Sequence, residues 1–294
     1  MCKLAVALHV DASLPPGRSL RGTVGSSMSA SDNCYGLGQA EASSRQPELC
    51  FVTLVNDHAQ FTQCRDSLQR GGHQVMTWIA VEPNLHGWNA ARGLNFGLNQ
   101  AQTPWVVFSH QDVRFPAGWL PSVIRMLSGL PESVALVGLV GTQADGRYRG
   151  HIVDPNGQSY WGPLPADVLV LDEVVLILRR DSGLRFNEDV PGFHCYGTDL
   201  CLQAHSLGLR VVAVDAVVRH LSSGRVDESY DKATRWILDR WGSEYGHIIP
   251  TPATIIEDLG KAGFLRRMLF RWRRRRDRRL RLRVPPDLRV DGQL

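Results

Sequence analysis

The sequence predicts an α/β protein built on a mixed, mainly parallel sheet flanked by helices. Three apolar, strand-like runs, Leu49–Val55, Gln74–Val81 and Trp105–Phe108, alternate with two stretches of helical spacing, the pattern of parallel strands with crossover helices. Each run stops abruptly in polar residues: Asn56-Asp57-His58, Glu82, and Ser109-His110-Gln111-Asp112. Ligands of open α/β sheets collect beyond the carboxyl ends of strands. With 294 residues and 43% hydrophobic content the chain can bury a sizeable core. It contains no run of 18 apolar residues, so no transmembrane helix is expected.

In chain order, residues 1–48 are rich in Gly, Ser, Ala and Pro without a period and are expected to be disordered or loosely attached. The short run Leu4–Val10, broken by His9, is too short and too weakly flanked for a secretory signal to be expected. After the first strand, Phe61–Gln69 reads as a helix ended by Gly71-Gly72. The second strand leads to a helix at Trp88–Gln100, with Ala90, Ala91, Leu94 and Leu98 on one face. Gly93 and Gly97 within it cost helix propensity but permit close approach of a neighbouring backbone. Pro116 and Gly118 break the chain after the third strand. Ser133–Val140 is a fourth strand, and Thr142–Pro165 is loop and hairpin. Asp167–Arg180 is a long apolar run interrupted by Asp172-Glu173. Two carboxylates there are costly to bury unpaired. They should face a cleft or a partner, or pair with Arg179 or Arg180. A helix at Asp199–Leu207 stops at Gly208. Leu209–Val218 is a strand ending at Arg219-His220, 222–229 is a polar loop, and Tyr230–Trp241 is the last core helix. The expected divisions are 1–48, a folded domain over 49–250, and a basic tail over 251–294.

Composition narrows the function classes. The six cysteines form no C-x-x-C pair, which suggests reduced cytosolic thiols rather than a disulfide framework or a zinc site. No P-loop or strand-coupled G-x-G-x-x-G is present, which argues against nucleotide hydrolysis on a P-loop and against dehydrogenases. Three residues instead fall at element ends: Asp112, Asp199 and His220. Asp and His together suit Mn²⁺ or Mg²⁺, a cation able to bridge nucleotide phosphates, and leave Asp199 as a general base. The plainer alternatives are a turn aspartate at Asp112, a helix-dipole role for Asp199, and an ordinary strand-end histidine at His220.

Over Leu49–Trp241 the sequence resembles the GT-A glycosyltransferases of the family 2-like group. Four pieces carry the resemblance: Asn56-Asp57 after the first strand, Asn95-Phe-Gly97, Ser109-His-Gln-Asp112 in the place of a D-x-D motif, and Phe193–Leu202 followed by Gly208 and His220. The resemblance implies a GT-A fold and a mostly inverting, hexosyl-type transfer from a nucleotide-sugar donor to an acceptor hydroxyl. It makes Asp112 a ligand of Mn²⁺ or Mg²⁺, with His110 in the position of the first Asp of the motif. Asn56, Asp57 and Glu82 would line the nucleotide pocket, and Asn95 would form the turn ahead of the metal motif. Asp199 would deprotonate the acceptor, His220 would assist the cation or diphosphate, and Asp172 would orient the acceptor. Arg225 would contact the diphosphate as its loop closes. A GT-A-like binding protein without turnover and a metal-dependent nucleotidyltransferase remain alternatives.

The net charge of +4 is unevenly spread. Lys261–Arg283 holds twelve Lys or Arg and one Asp, +11, so the remainder sums to 4 − 11 = −7. Within the tail, Phe264, Leu265, Met268, Leu269 and Trp272 form one helical stripe among basic residues. That suits an anionic membrane surface, with a lipid-linked, glycan or small-molecule acceptor. A helix packed on the domain, or a nucleic-acid contact, is the alternative; aromatic residues for stacking are scarce. A cytoplasmic protein, held peripherally at the inner face of the membrane by this tail, is the expectation.

Overall fold

The structure, a computed structural model, describes residues 49–70, 77–222, 224, 228–279, 284 and 289. The expectations for 1–48 and for Arg225 lie outside them. The first half follows the predicted alternation: β1 (Leu49–Leu54), α1 (His58–Gln69), β2 (Thr77–Val81), α2 (Ala90–Gln100) and β3 (Trp105–Ser109). β1 is paired parallel with β2 on one side and β3 on the other. α1 starts three residues before Phe61 because Asp57 caps it, its Oδ1 accepting from the Ala59 and Gln60 amides at 2.9 and 3.0 Å. Such a cap satisfies donors that a helix start leaves open. In α2 the two glycines face β1: a Cβ at Gly97 would stand 2.3 Å from Val52 Cγ1, and one at Gly93 2.9 Å from Leu54 Cδ2. They let the helix lie directly on the strand.

The second half supplies β4 (Val113–Arg114), α3 (Trp119–Ser128), β5 (Val134–Gly138), β6 (Val140–Thr142), the hairpin β7 (Tyr148–Asp154) and β8 (Gly157–Trp161), β9 (Ala166–Asp167), β10 (Val170–Leu171) and β11 (Val175–Arg179). Then follow α4 (Tyr196–Ser206), β12 (Arg210–Ala213), β13 (Arg219–His220), α5 (Glu228–Trp241), β14 (Ile248–Pro250), β15 (Ile255–Glu257) and α6 (Phe264–Arg279). The main sheet has the order β2-β1-β3-β11-β5-β12-β9. Its pairings make β1, β2, β3, β5 and β12 run one way, with β9 and β11 reversed. A second sheet, β10-β6-β7-β13-β4 with β8 on β7, stands beside it.

Three runs expected as single strands are divided between the two sheets. Ser133–Val140 breaks at Leu139 into β5 and β6, Asp167–Arg180 breaks at Asp172-Glu173 between β10 and β11, and Leu209–Val218 ends as β12 at Ala213, with β13 following separately. Both sheets bury these segments, so hydrophobicity stays high across the crossing and hides it. One core cluster spans both sheets and α3, joining Val107, Val137 and Ile177 to Leu139, Val140, Ile152 and Val123. The opposite face of the main sheet packs on α2 and α4 through Leu94, Leu98, Leu200 and Ala204. The four described cysteines are free and buried, in keeping with reduced thiols. Burial pushes the Cys50 thiol up to about 11 and those of Cys64 and Cys201 up to about 12.

The contact of α2 with β1 leaves no room for a methyl group. Gly97→Ala should therefore lower stability by about 1–3 kcal/mol through overpacking, read as a reduced urea midpoint. An unchanged midpoint would mean that α2 lifts off β1 without penalty.

Candidate functional site

The site forms where three strand ends meet. The His110 amide donates to Val174 O at 3.0 Å, carrying the β3–β11 pairing one residue beyond Ser109. Asp112 precedes β4, which β13 joins antiparallel with His220 opposite Val113. The Leu221 amide closes this short ladder on Asp112 O at 3.1 Å. These backbone bonds bring His220 Nε2 to 3.3 Å from Asp112 Oδ1. One ligand atom each of His110, Asp112 and His220 lies within 4.8 Å of the others. His110 Nε2 is hydrogen-bonded to the Tyr196 hydroxyl at 3.1 Å, and Ser222 Oγ lies 3.2 Å from His220 Nε2.

The electrostatics of the cluster are uneven. Burial works to raise the Asp112 carboxyl, but the hydrogen bond and charge of His220 outweigh it and hold it well below the usual carboxylate range. Burial works to lower His220, and the bond to Asp112 raises it instead. His110 is lowered, first by burial and then by the charge of His220. An ionised Asp112 thus stands beside a neutral His110. Two imidazole nitrogens and one carboxylate oxygen make a donor set that fits a divalent cation, and the imidazoles favour Mn²⁺ over the oxygen-seeking Mg²⁺.

Two lobes open on either side of this cluster. The smaller, about 450 Å³, is lined by Asn56, Asn84, Gln111 and Asp112 among others. The larger, about 710 Å³, is lined by Asp172, Trp161, His220 and Tyr230 among others. His110, Glu173 and Phe193 line both. Gln111 shapes the edge of the smaller lobe: its Oε1 accepts from the Asn56 and Asp57 amides at 2.9 and 3.0 Å, and its amide donates to Asn56 Oδ1. Asp172 and Glu173 sit where the chain leaves β10 for β11, which is why two charges interrupt an apolar run. Asp172 Oδ1 accepts from the Val174 amide at 3.0 Å. Glu173 Oε1 accepts from the Gly197 amide at 2.6 Å, at the start of α4. Burial pushes the Glu173 carboxyl up to about 8, the Gly197 bond acting against it.

Four residues expected at the site are not among those that line either lobe. Asp199 does not open α4; it is the fourth residue of that helix and fully buried. Its Oδ1 accepts from Trp241 Nε1 at 2.7 Å and lies 3.4 Å from Arg240 Nε, and its Oδ2 accepts from Gln203 Nε2 at 2.6 Å. It ties α4 to α5 and lines neither lobe. Asn95 is buried in α2, where its side chain donates to Phe186 O at 2.8 Å and accepts from the Phe186 amide at 3.1 Å. Asp57 is occupied as the α1 cap, and the half-buried Glu82 lies 3.1 Å from His58 Nε2; neither lines a lobe. Conversely, Gln111 and Tyr196 were not singled out by sequence. Both stood inside segments that carry the family resemblance, Gln111 in Ser109–Asp112 and Tyr196 in Phe193–Leu202.

Residues 79–176, from β2 into β11, match the family described as glycosyl transferase family 2. A protein of Fuscovulum blasticum described as "ATP synthase subunits region ORF 6" is 28% identical over 206 residues, covering 64% of this chain and 81% of that protein. Among solved structures, the chain is similar to GalNAc-T7 with UDP, GalNAc and Mn²⁺ (7% identity, TM-score 0.46, 69% of this chain and 50% of that one). It is also similar to the mannosyltransferase PcManGT of Pyrobaculum calidifontis with GDP-Man and Mn²⁺ (13%, 0.42, 67% and 61%). A third likeness is to S. aureus TarS 1-349 (13%, 0.45, 65% and 64%). The chain therefore spans from half to just under two thirds of the length of these solved chains.

Two outcomes follow from the geometry of the carboxylates. Between about pH 4.5 and 8 the folded protein holds a proton on Glu173 that the unfolded chain has released. Folded-state stability from this group is therefore present at the acid end of that window and is lost as pH rises through it. Urea midpoints should show this fall in the wild type and a flatter profile in Glu173→Gln; identical profiles would refute the shift. Asp199→Ala leaves the Trp241 indole unpaired and should cost about 1–3 kcal/mol. An unchanged urea midpoint with lost activity would return Asp199 to a chemical role.

Proposed function

We propose that this glycosyl transferase family 2-like chain moves a sugar from a nucleoside-diphosphate sugar to an acceptor hydroxyl. The observation that carries the reading is the His110–Asp112–His220 cluster, set at the seam between two lobes and, for its first two members, inside the segment that matches the family. A divalent cation, Mn²⁺ by its donor set, would be held by these three side chains and would supply charge neutralisation to a diphosphate. The smaller lobe takes the donor, with Asn56 and Gln111 presenting polar groups to the nucleotide. The larger lobe takes the acceptor, with Trp161 as an apolar wall and Asp172 as a hydrogen-bond acceptor for its hydroxyl.

Glu173 faces both lobes, and we assign it the role first expected of Asp199. A carboxyl near 8 is matched to proton transfer around neutral pH. In the step, the acceptor oxygen forms a bond to the sugar's anomeric carbon as the bond from that carbon to the diphosphate breaks. The hydroxyl proton passes to Glu173 in its ionised form, and the diphosphate leaves with the electron pair of the broken bond. One carboxylate and one displacement correspond to inversion at the anomeric carbon. Asp199 contributes by holding α4, whose first turn carries the Gly197 amide bonded to Glu173.

Ligands that bind only the folded state raise its apparent stability. A panel of nucleotide sugars, each with and without Mn²⁺, should give a Mn²⁺-dependent rise in melting temperature of several degrees for one nucleotide class. Asp112→Asn, folded by its unliganded melt, should lose that rise. Absence of any donor-dependent rise in folded wild-type protein would overturn the reading.

A further inference from the structure

α6 sits on the body with its charged side inward. Glu257 receives both Arg267, at 3.2 Å, and Arg271. Arg273 donates to Asp145 O at 3.2 Å, and Arg274 donates to Thr251 O and Pro252 O at 3.0 and 2.9 Å. The buried apolar contact on this side is Phe270, packed with Ile248 and Ala262. The opposite side presents Phe264, Leu265, Met268, Leu269 and Trp272, each between 43% and 81% exposed. An amphipathic helix of a globular protein normally does the reverse, burying its apolar face. Here the body takes the arginines, and a contiguous apolar row about 12 Å long at 1.5 Å per residue is left outward. Single exposed apolar residues are ordinary, but a contiguous patch edged by charge marks an interaction surface.

We infer that this face of α6 docks on an anionic lipid surface. The row is bordered by the exposed arginines Arg275 and Arg276, the latter leaning over the Trp272 ring at 5.7 Å. Apolar side chains entering the acyl boundary, with arginines level with the headgroups, are the two components of interfacial helix binding, and anionic lipid strengthens the second. A second copy of the chain is a poorer partner. Two such rows brought face to face would also bring their arginine borders together, and like charges oppose that contact. The inward side of α6 backs onto the larger lobe: Thr251 and Pro252, whose carbonyls Arg274 grips, line that lobe. The inference from α6 stands whether or not the chain is a transferase. Among the described residues no helix is long and apolar enough to cross a membrane.

The test is co-sedimentation of the full chain with vesicles of phosphatidylcholine alone or with about a quarter phosphatidylglycerol. The wild type should partition onto the anionic vesicles at least about tenfold more strongly than onto the neutral ones. The double variant Leu265→Glu/Trp272→Glu should lose at least about tenfold on the anionic vesicles. Both positions are exposed, so the melting temperature should match the wild type; should it fall, Leu265→Ser and Met268→Ser, read singly, replace the double variant. Equal partition onto both vesicle types, no partition at all, or a dimer by light scattering that the same substitutions dissolve would each overturn the inference. Donor-dependent stabilisation should be unaffected by these variants, which separates failure here from failure of the cleft assignment.

Discussion

Two residues of backbone pairing hold the site together. β13 is only Arg219–His220, yet its antiparallel bonds to Val113–Arg114 determine where His220 stands. Without that ladder, a histidine more than a hundred residues from Asp112 would have no reason to approach it. The strand is short because it serves as a clasp: β12 has already ended in the main sheet, and the chain crosses to the second sheet only to make this contact and one with β7. The contact of His220 with Asp112 then keeps Asp112 ionised, and burial, followed by the nearness of His220, keeps His110 neutral. Both are the forms in which these side chains bind cations.

The same crossing between sheets explains the second feature of the cleft. Carboxylates at Asp172 and Glu173 are tolerated in an apolar run because the run is interrupted there, opening a gap between β10 and β11. One carboxyl satisfies a turn amide and the other the first turn of α4. The fold thus stations acidic groups at a seam between sheets, where part of each remains open to the lobes, and needs no buried counter-ion for them.

Much of the fold was legible because local signals agreed with it. Strand periodicity, caps and glycine stops located β1, β2, β3, α1 and α2 to within a few residues, and the polar ends of β1 and β3 pointed to the cleft. The divisions of later strands were not legible, since both sheets ask for the same apolar residues. The site was legible in part. Asp112, His110 and His220 are brought together, Asn56 and Asp172 line the lobes, and Asp199 and Asn95 do not. These last two share a trait that sequence cannot display: a buried polar side chain saturated by partners from distant elements, Trp241 for one and Phe186 for the other. Polar residues near a motif look alike in sequence whether they face ligand or protein. Glu173 was visible as an anomaly of cost but not as the residue facing both lobes, because that depends on how β11 enters the main sheet.

The buried thiols give this architecture an internal clock. Cys64 donates its S–H to His110 O, a backbone oxygen of the His110–Asp112–His220 cluster, and Cys201 accepts from the Leu171 amide beside Asp172. Only the thiolate reacts with alkylating reagents, and both thiols are raised to about 12 in the closed fold. Their modification must wait for the surrounding structure to open. Reagent uptake at Cys64 then times the breathing of the cleft floor, and uptake at Cys201 that of the seam between the sheets, so the two halves of the site can be followed separately without introducing any label.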